Sequence, residues 1–599
     1  MKKIIVVALT VALVLAAGCK RSKRNRDDIP AGQPVYTYQG EVGTPGGTLV
    51  LELQTNISTL NVITATDNIT TYVLWYHLYR CLIDFRNGDD PPQYDPGLCT
   101  SWESNADATQ WTFHLRPGVQ WSDGEPFTAD DVLFTYDVIR NENVPNAIRD
   151  TFNEGIDVNG KPIFPDLVKI DDHTVQFNLH RPNGMFLDSI FNMWLVPKHK
   201  WESALADGTF KDKMTTADDP ANIVGLGPFR FKEHTPDQSI VLERNPYFWK
   251  QDRNGQRLPY LDRLIFVIGR DATTINNKFQ AGEIDVTTRV RAEDFGSLKG
   301  FADRNPGVAV LQDLGVSYDT QFIAFNQNTG TNPQTGQPYL AEWKQRLFRN
   351  QKFRQAVSYA IDREGLANTV FVGRAVPIYT FVTPADVKWY SDDIMKYPYD
   401  PARARALLAE IGLRDRNHDG ILEDQYGNTI EFNIITNSSN SQRVKMASFI
   451  ANNLRDVGLK VTSTPIALSQ VVEMSQSSFN YDALVLGWGI GVPPGPLNTT
   501  NILLSSGLNH VCFPSQKSPS TEWEAEVNRL VQELPTHPDF ETQKKIYAQI
   551  QRIWSEQLPE INLVAQKEAV AYYNKFGNIR PSPLPPRVTW NVEEIYEKK

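Results

Sequence analysis

Between residues 430 and 486 the chain switches twice between strand and helix periodicity. IEFNII (430–435) reads as a strand. Ser441 then opens a helix whose apolar face is Val444, Ala447, Ile450, Leu454 and Val457, with Gly458 as its stop. LKVT (459–462) is the next strand, residues 467–477 the next helix, and YDALVL (481–486) a buried strand. Strand-helix-strand-helix-strand with connections this short requires parallel pairing and right-handed crossovers. Ligands of such sheets sit beyond the carboxyl ends of the strands, which points at Gly487, Trp488, Gly489, Ile490 and Gly491. Glycines there let a ligand approach the backbone, and Trp488 offers a stacking face. On topology alone, a glycine-rich loop with a core tryptophan stays open as the other reading.

The remaining chain is also mixed α/β. GTLVLELQ (47–54), WTFHL (111–115), TVQFNL (174–179) and 261–268 read as strands, and a helix is expected over 67–80. Thr128 followed by Asp131 is a capping-box signature for a helix through Val132, Phe134 and Val138. Residues 229–231 and 240–244 form a hairpin about Pro236-Asp237, 271–281 a helix and 284–286 a short strand. Asp400-Pro401 starts a helix that Gly412 ends.

The N-terminus is an address. Lys2 and Lys3 precede an apolar run (4–17) shorter than the ~20 residues needed to span a bilayer, so it reads as a signal-peptide core. Leu15-Ala16-Ala17-Gly18-Cys19 resembles a bacterial lipobox, which implies removal of 1–18, lipidation of Cys19 and a membrane-tethered, exported protein. Residues 19–45 are charged, then Pro/Gly-rich, and are expected to form a flexible tether. Export permits a disulfide among Cys81, Cys99 and Cys512, with Cys81–Cys99 one of three pairings.

Lys and Arg number 60 against 70 Asp and Glu, a net charge of −10, which disfavours a nucleic-acid partner. No GxSxG, HExxH, Walker A or dinucleotide fingerprint is present, and the nine histidines are scattered. Acid pairs are plentiful, as in any chain with this many carboxylates, so a secreted hydrolase is the weaker class. No cofactor is required. One motif suggests a metal: Asp415, Asn417, Asp419, Ile421 and Glu423, around Gly420, match the opening of a calcium loop. The twelfth position is Tyr426 instead of glutamate, so a complete EF-hand fails. A truncated Ca2+ site at 415–424 and a self-bonded Asp/Asn/Gly turn both remain.

LRPGVQWSDGEPFTADDV (115–132) strongly resembles the signature of family 5 extracellular solute-binding proteins, the oligopeptide- and dipeptide-binding components of ABC importers. GLGPFRF (225–231), LERNPYFW (242–249), FQAGEIDV (279–286), FRQAVSYAIDR (353–363) and YDALVLGWG (481–489) follow in family order. The resemblance implies an α/β, two-lobed periplasmic-binding-protein fold of type II, the large class with an extra subdomain in lobe I. Carried over, lobe I takes 46–315 plus 559–599, with an inserted subdomain near 80–222, and lobe II takes 316–558. Crossover strands near 314–318 and 556–560 would form the hinge. The ligand-binding residues would be the same 487–491 loop, whose backbone pairs with an extended peptide as an added strand. Peptide-binding relatives carry an Asp three residues after this Trp for the peptide's α-ammonium; here that position is Gly491. Either another acid supplies the charge, or the solute is an oligosaccharide or other non-amine. The implied partners are a small solute, permease subunits with a separate ATPase chain, and the membrane through Cys19. The receptor would be a monomer. A lipoprotein chaperone or signalling receptor would share the fold.

Overall fold

A computed structural model describes residues 36–599, apart from 90, 91, 159, 270 and 334. The expected signal peptide, Cys19 and the first part of the tether lie outside the described residues. No helix among the described residues is long and apolar enough to cross a membrane.

The spine is a strand of 14 residues, Glu560–Tyr573, shared by both halves of a twelve-stranded sheet. Its first residues pair antiparallel with Thr320–Phe325, down to Gln321 opposite Val564. Its last pair with Ala309–Val316, starting at Val316 opposite Lys567. The chain therefore crosses between halves at 317–319 and again at 564–567. The second crossing lies later than the expected 556–560, because Glu560 to Val564 still complete the second half's sheet.

In the first half, Thr48–Leu53 pairs parallel with Arg263–Ile268, which continues through Ser239–Arg244 to Phe229–Thr235. An antiparallel four-stranded sheet of Cys99–Ser104, Gln110–Leu115, Thr174–Asn178 and Asp166–Asp171 is set into this half. The helix Ala129–Arg140 carries the expected capping box: the Thr128 hydroxyl accepts from Asp130 N, and Asp131 Oδ2 accepts from Thr128 N. Aromatic packing of Phe113, Phe152, Phe177 and Phe186 fills the space beneath. The helix expected over 67–80 stops at Leu74, since Trp75 turns extended and Tyr76 adopts a φ of 66°.

In the second half, Glu431–Asn437 lies parallel to Lys460–Ile466 on one side and to Ala483–Trp488 on the other, the parallel arrangement expected from the alternation. The helix Ser441–Arg455 between them is capped by Asn440, whose Oδ1 accepts from Arg443 N, one residue earlier than the expected Ser441. Its stripe of Met446, Ala447, Ile450 and Leu454 joins Phe325, Phe353 and Phe432 in a separate core. A third core, with Phe381, Trp389, Tyr547 and Trp554, supports the far side of this half.

Two further expectations change. Residues 36–45 are not tether. Tyr36–Tyr38 pairs parallel with Lys250–Asp252, Tyr38 is buried, and Glu41 O and Thr44 are bonded to Asn578 and Glu597. A short Tyr-Thr-Tyr alternation is enough to bury one ring at a sheet edge, whatever the flanking composition. Cys81, Cys99 and Cys512 are buried free thiols. Cys81 donates its S–H to Phe191 O at 2.8 Å, and burial pushes the Cys99 thiol up to about 12, so neither is a poised thiolate.

Candidate functional site

The strand Ala483–Trp488 delivers the GWGIG loop to the junction of the two halves. Gly487 is required by its own sheet: a Cβ there would stand 2.3 Å from Thr320 O on the paired strand. Gly489 faces no such crowding: an added Cβ there would meet Asp319 Oδ1 at an ordinary 3.8 Å. Trp488 is part-buried, stacks on Phe322 with centroids 5.2 Å apart, and donates from Nε1 to Glu560 Oε1 at 2.9 Å. Burial pushes the Glu560 carboxyl up to about 8, against the pull of the indole N–H, so it is protonated at neutral pH. One indole face is thereby committed to the protein.

The backbone along this strand is also engaged. Val485 O accepts from Thr436 Oγ1 at 2.8 Å and Gly487 O from Arg443 Nη2 at 3.4 Å. Those are acceptors that an added strand on this side would use. Ile490 N donates to Asp319 Oδ1 at 3.1 Å. At Gly491 an added Cβ would stand 2.7 Å from Asn498 Oδ1, and Asn498 Nδ2 is itself bonded to Pro493 O. A side chain at 491 would have to displace the Asn498 amide, and the sequence carries no acid there.

The halves are closed on each other around this loop. Tyr318 and Val492 of the second half join the first half's core, and Ile490 and Ala385 pack against it. Met185 of the first half packs reciprocally on the third core. At the rim, Gly184 N donates to Pro535 O at 2.8 Å, Arg289 pairs with Asp319 at 3.1 Å, and Lys445 pairs with Glu293 at 3.0 Å.

Between the halves lies a cavity of about 260 Å³. The first half supplies Phe85, Tyr94, Met185 and Asp188; the second supplies Asp386, Trp389, Pro493 and Phe540. A recess lined by Phe381, Thr383, Ile490 and Gly495 adjoins it and shares Tyr318 and Asp386. Ile490 therefore lines the recess and Pro493 and Pro494, just beyond the predicted loop, line the cavity, whereas Gly487, Trp488, Gly489 and Gly491 line neither. Burial pushes Asp188 up to about 6, partly offset by the Tyr94 hydroxyl that donates to it. Burial likewise pushes Asp386 up to about 6, with Trp389 N–H and Lys388 acting the other way. Sequence reasoning missed both acids. Asp386 in TPADVKWY follows Pro384 by two residues and precedes Trp389 by three, but nothing in that string separates it from the chain's other carboxylates.

The 415–424 segment sits on the surface away from this cavity. Asp415, Asp419 and Glu423 each place a carboxylate oxygen within 4.8 Å of the others. Asn417 and Ile421 belong to the same turn: Asn417 Oδ1 accepts from Asp419 N, and Ile421 N donates to Asp419 Oδ1. Asp415 Oδ2 accepts from Gly420 N, while Asp415 Oδ1 is buried without a partner among the described residues. The donor set fits a hard divalent cation.

Two α/β lobes joined by crossing strands, with a cavity between them, define the type II periplasmic-binding-protein fold. The model of the bacterial extracellular solute-binding proteins, family 5 (middle region), matches residues 93–510, and the chain belongs to that family. It is 29% identical to a probable ABC transporter-binding protein of Deinococcus radiodurans, covering 80% of this chain and 81% of that one. It is 26% identical to the oligopeptide-binding protein AppA of Bacillus subtilis over 100% of this chain and 99% of that one. The structure of that AppA with a nonapeptide superposes with a TM-score of 0.70 at 25% identity, covering 93% of this chain and 100% of that one.

Proposed function

We propose that this protein is the exported, non-enzymatic receptor of an ABC importer, binding a short peptide between its lobes and handing it to a permease. The observation that carries the reading is the inter-lobe cavity, walled by aromatic side chains and provided with carboxyl groups from both lobes. Its size and mixed lining suit a small solute held by a few polar contacts. Ligand touching both walls favours closure about 317–319 and 564–567, and shifts that equilibrium only by its preference for the closed form. Lipid on Cys19 would keep the receptor, a monomer, near a permease whose ATPase is a separate chain.

Native mass spectrometry of the protein purified from its own host tests this, followed by denaturing spectra of whatever co-purifies. A family of peptide masses is expected. A single sugar or other non-amine would replace peptide by that solute and keep the receptor role. A protein that arrives empty and then binds neither peptides nor oligosaccharides by calorimetry would defeat both assignments.

The reading extends to Ca2+ at Asp415, Asp419 and Glu423, supported by the unpartnered Asp415 Oδ1. Calcium at a hundredfold excess over its dissociation constant is expected to stabilise the chelator-treated protein by about 2.7 kcal/mol. Asp419→Ala should abolish the rise in melting temperature and leave solute binding unchanged. No rise in the unmodified protein would make the segment a self-bonded turn.

A further inference from the structure

We infer that Phe85 is the end wall of the inter-lobe cavity and sets the greatest length of peptide the receptor accepts. The inference rests on the peptide-receptor reading above and deepens it.

A second cavity, of about 320 Å³, lies within lobe I, between the 36–40 strap, Tyr76 to Arg86 and the C-terminal segment 580–594. Phe85 is the one described residue that lines both this space and the inter-lobe cavity of about 260 Å³. What separates the two is an antiparallel ribbon, Ile83–Arg86 against Gln93–Pro96, with Phe85 directly opposite Tyr94. Successive side chains of a strand point to opposite faces. Phe85 and Tyr94 accordingly line the inter-lobe cavity, while Asp84, Arg86 and Asp95 line the one in lobe I.

The ribbon itself is fixed. Asp84 pairs with Arg80 at 3.3 Å and with Lys250 at 2.9 Å, and Arg86 pairs with Asp89 at 2.9 Å. Tyr94 is tied through its hydroxyl to Asp188. The ring of Phe85 is placed by packing instead. It is 6% exposed and meets Tyr94 and Phe191 edge-on, with centroids 5.4 and 5.8 Å away. Such a ring ends the solute cavity by volume alone, and a peptide one residue too long must displace it from a close-packed cluster. Without the ring the two spaces would join, more than doubling the room.

The chemistry beyond the ring suits an extended backbone. Arg80 and Lys250 are paired with Asp84 and Glu593, Arg86 with Asp89 and Asp95, and Arg580 with Glu594. Charges there already balance, so the space favours the uncharged amides of a longer chain over a charged terminus.

The test uses degenerate peptide pools of single length, from dipeptide to octapeptide, read by native mass spectrometry at neutral pH. The unmodified protein is expected to show a step, one added residue lowering the bound fraction at least tenfold, as overpacking implies. Phe85→Ala should move the step to longer peptides and leave binding below the original step nearly unchanged. Phe191→Ala removes a ring from the same cluster, but Phe191 lines neither cavity, so it should lower the melting temperature and leave the step in place. Where Phe85→Ala does not fold, Phe85→Leu should move the step the same way. A ladder without a step in the unmodified protein, which needs no variant to fold, would overturn the inference and preserve the peptide receptor. So would a folded Phe85 variant whose step stays, or a Phe191→Ala protein whose step moves as far. Adducts from no pool would overturn the peptide reading and this inference together.

Discussion

Gly184→Val is expected to weaken solute binding roughly 10- to 100-fold while leaving the melting temperature of the empty protein nearly unchanged. Gly184 lies at the rim, just before the helix that carries Asp188, and its N–H reaches across to Pro535 O. A Cβ at this position would stand 2.3 Å from His537 O and 2.8 Å from both Pro538 Cα and Gln543 Nε2. Two of those three atoms are backbone, and Gln543 Nε2 is itself bonded to His537 O, so the opposing lobe cannot simply turn aside. Overpacking of this kind costs about 1–3 kcal/mol. The three nearest atoms all belong to the opposing lobe, so the cost of the clash falls on the closed form. Solute must then supply it, and affinity drops by roughly tenfold for each 1.4 kcal/mol. Calorimetry with the co-purifying solute measures the loss, and small-angle scattering should find the liganded variant closer to the open dimensions. Normal affinity with normal compaction would mean that the approach of Gly184 to 535–538 is not part of the liganded state.

How legible was this in the sequence? The parallel core of lobe II was, because IEFNII, the Ser441 helix and YDALVL each carry one clean period and their order permits one handedness. The loop after YDALVL was placed at the junction for the same reason. Its chemistry was not. Gly487 answers a backbone oxygen of its neighbour, and Trp488 answers Phe322 and Glu560, contacts made across 166 and 72 residues of separation or supplied by a strand whose double membership no local pattern reveals. The cavity's acids illustrate the same limit. Asp188 and Asp386 come to one cavity only where the two lobes meet, and neither sits in a motif. The strap at 36–45 failed for the opposite reason: its composition is that of a linker, and burial of Tyr38 depends on an edge offered by Lys250–Asp252.

Glu593→Gln should cost about 3–5 kcal/mol of stability. Glu593 Oε2 lies 3.0 Å from Arg80 Nη2, and its Oε1 2.9 Å from Lys250 Nζ. Asp84 closes the ring, 2.9 Å from Lys250 and 3.3 Å from Arg80. Two cations and two anions balance in a site where Arg80 and Glu593 side chains are only 3% and 4% exposed. Burial by itself would raise the Glu593 carboxyl, yet Arg80 and Lys250 hold it down at about 2. A depressed carboxyl contributes stability in full above its unfolded value near 4.5, and the contribution disappears as pH falls through 2. Glutamine keeps the shape and removes the charge, so Arg80 and Lys250 are left with Asp84 alone. Adding Lys250→Met to the variant should recover part of the loss, since the remaining Arg80 and Asp84 again balance. Urea unfolding of the single and double variants measures both steps; a loss under 1 kcal/mol would show that the ring is solvated. The ring joins residues from three distant parts of the chain, so it fixes the C-terminal segment after the second crossing onto lobe I. Solute affinity at neutral pH should be unchanged, because none of the four ring residues lines the inter-lobe cavity.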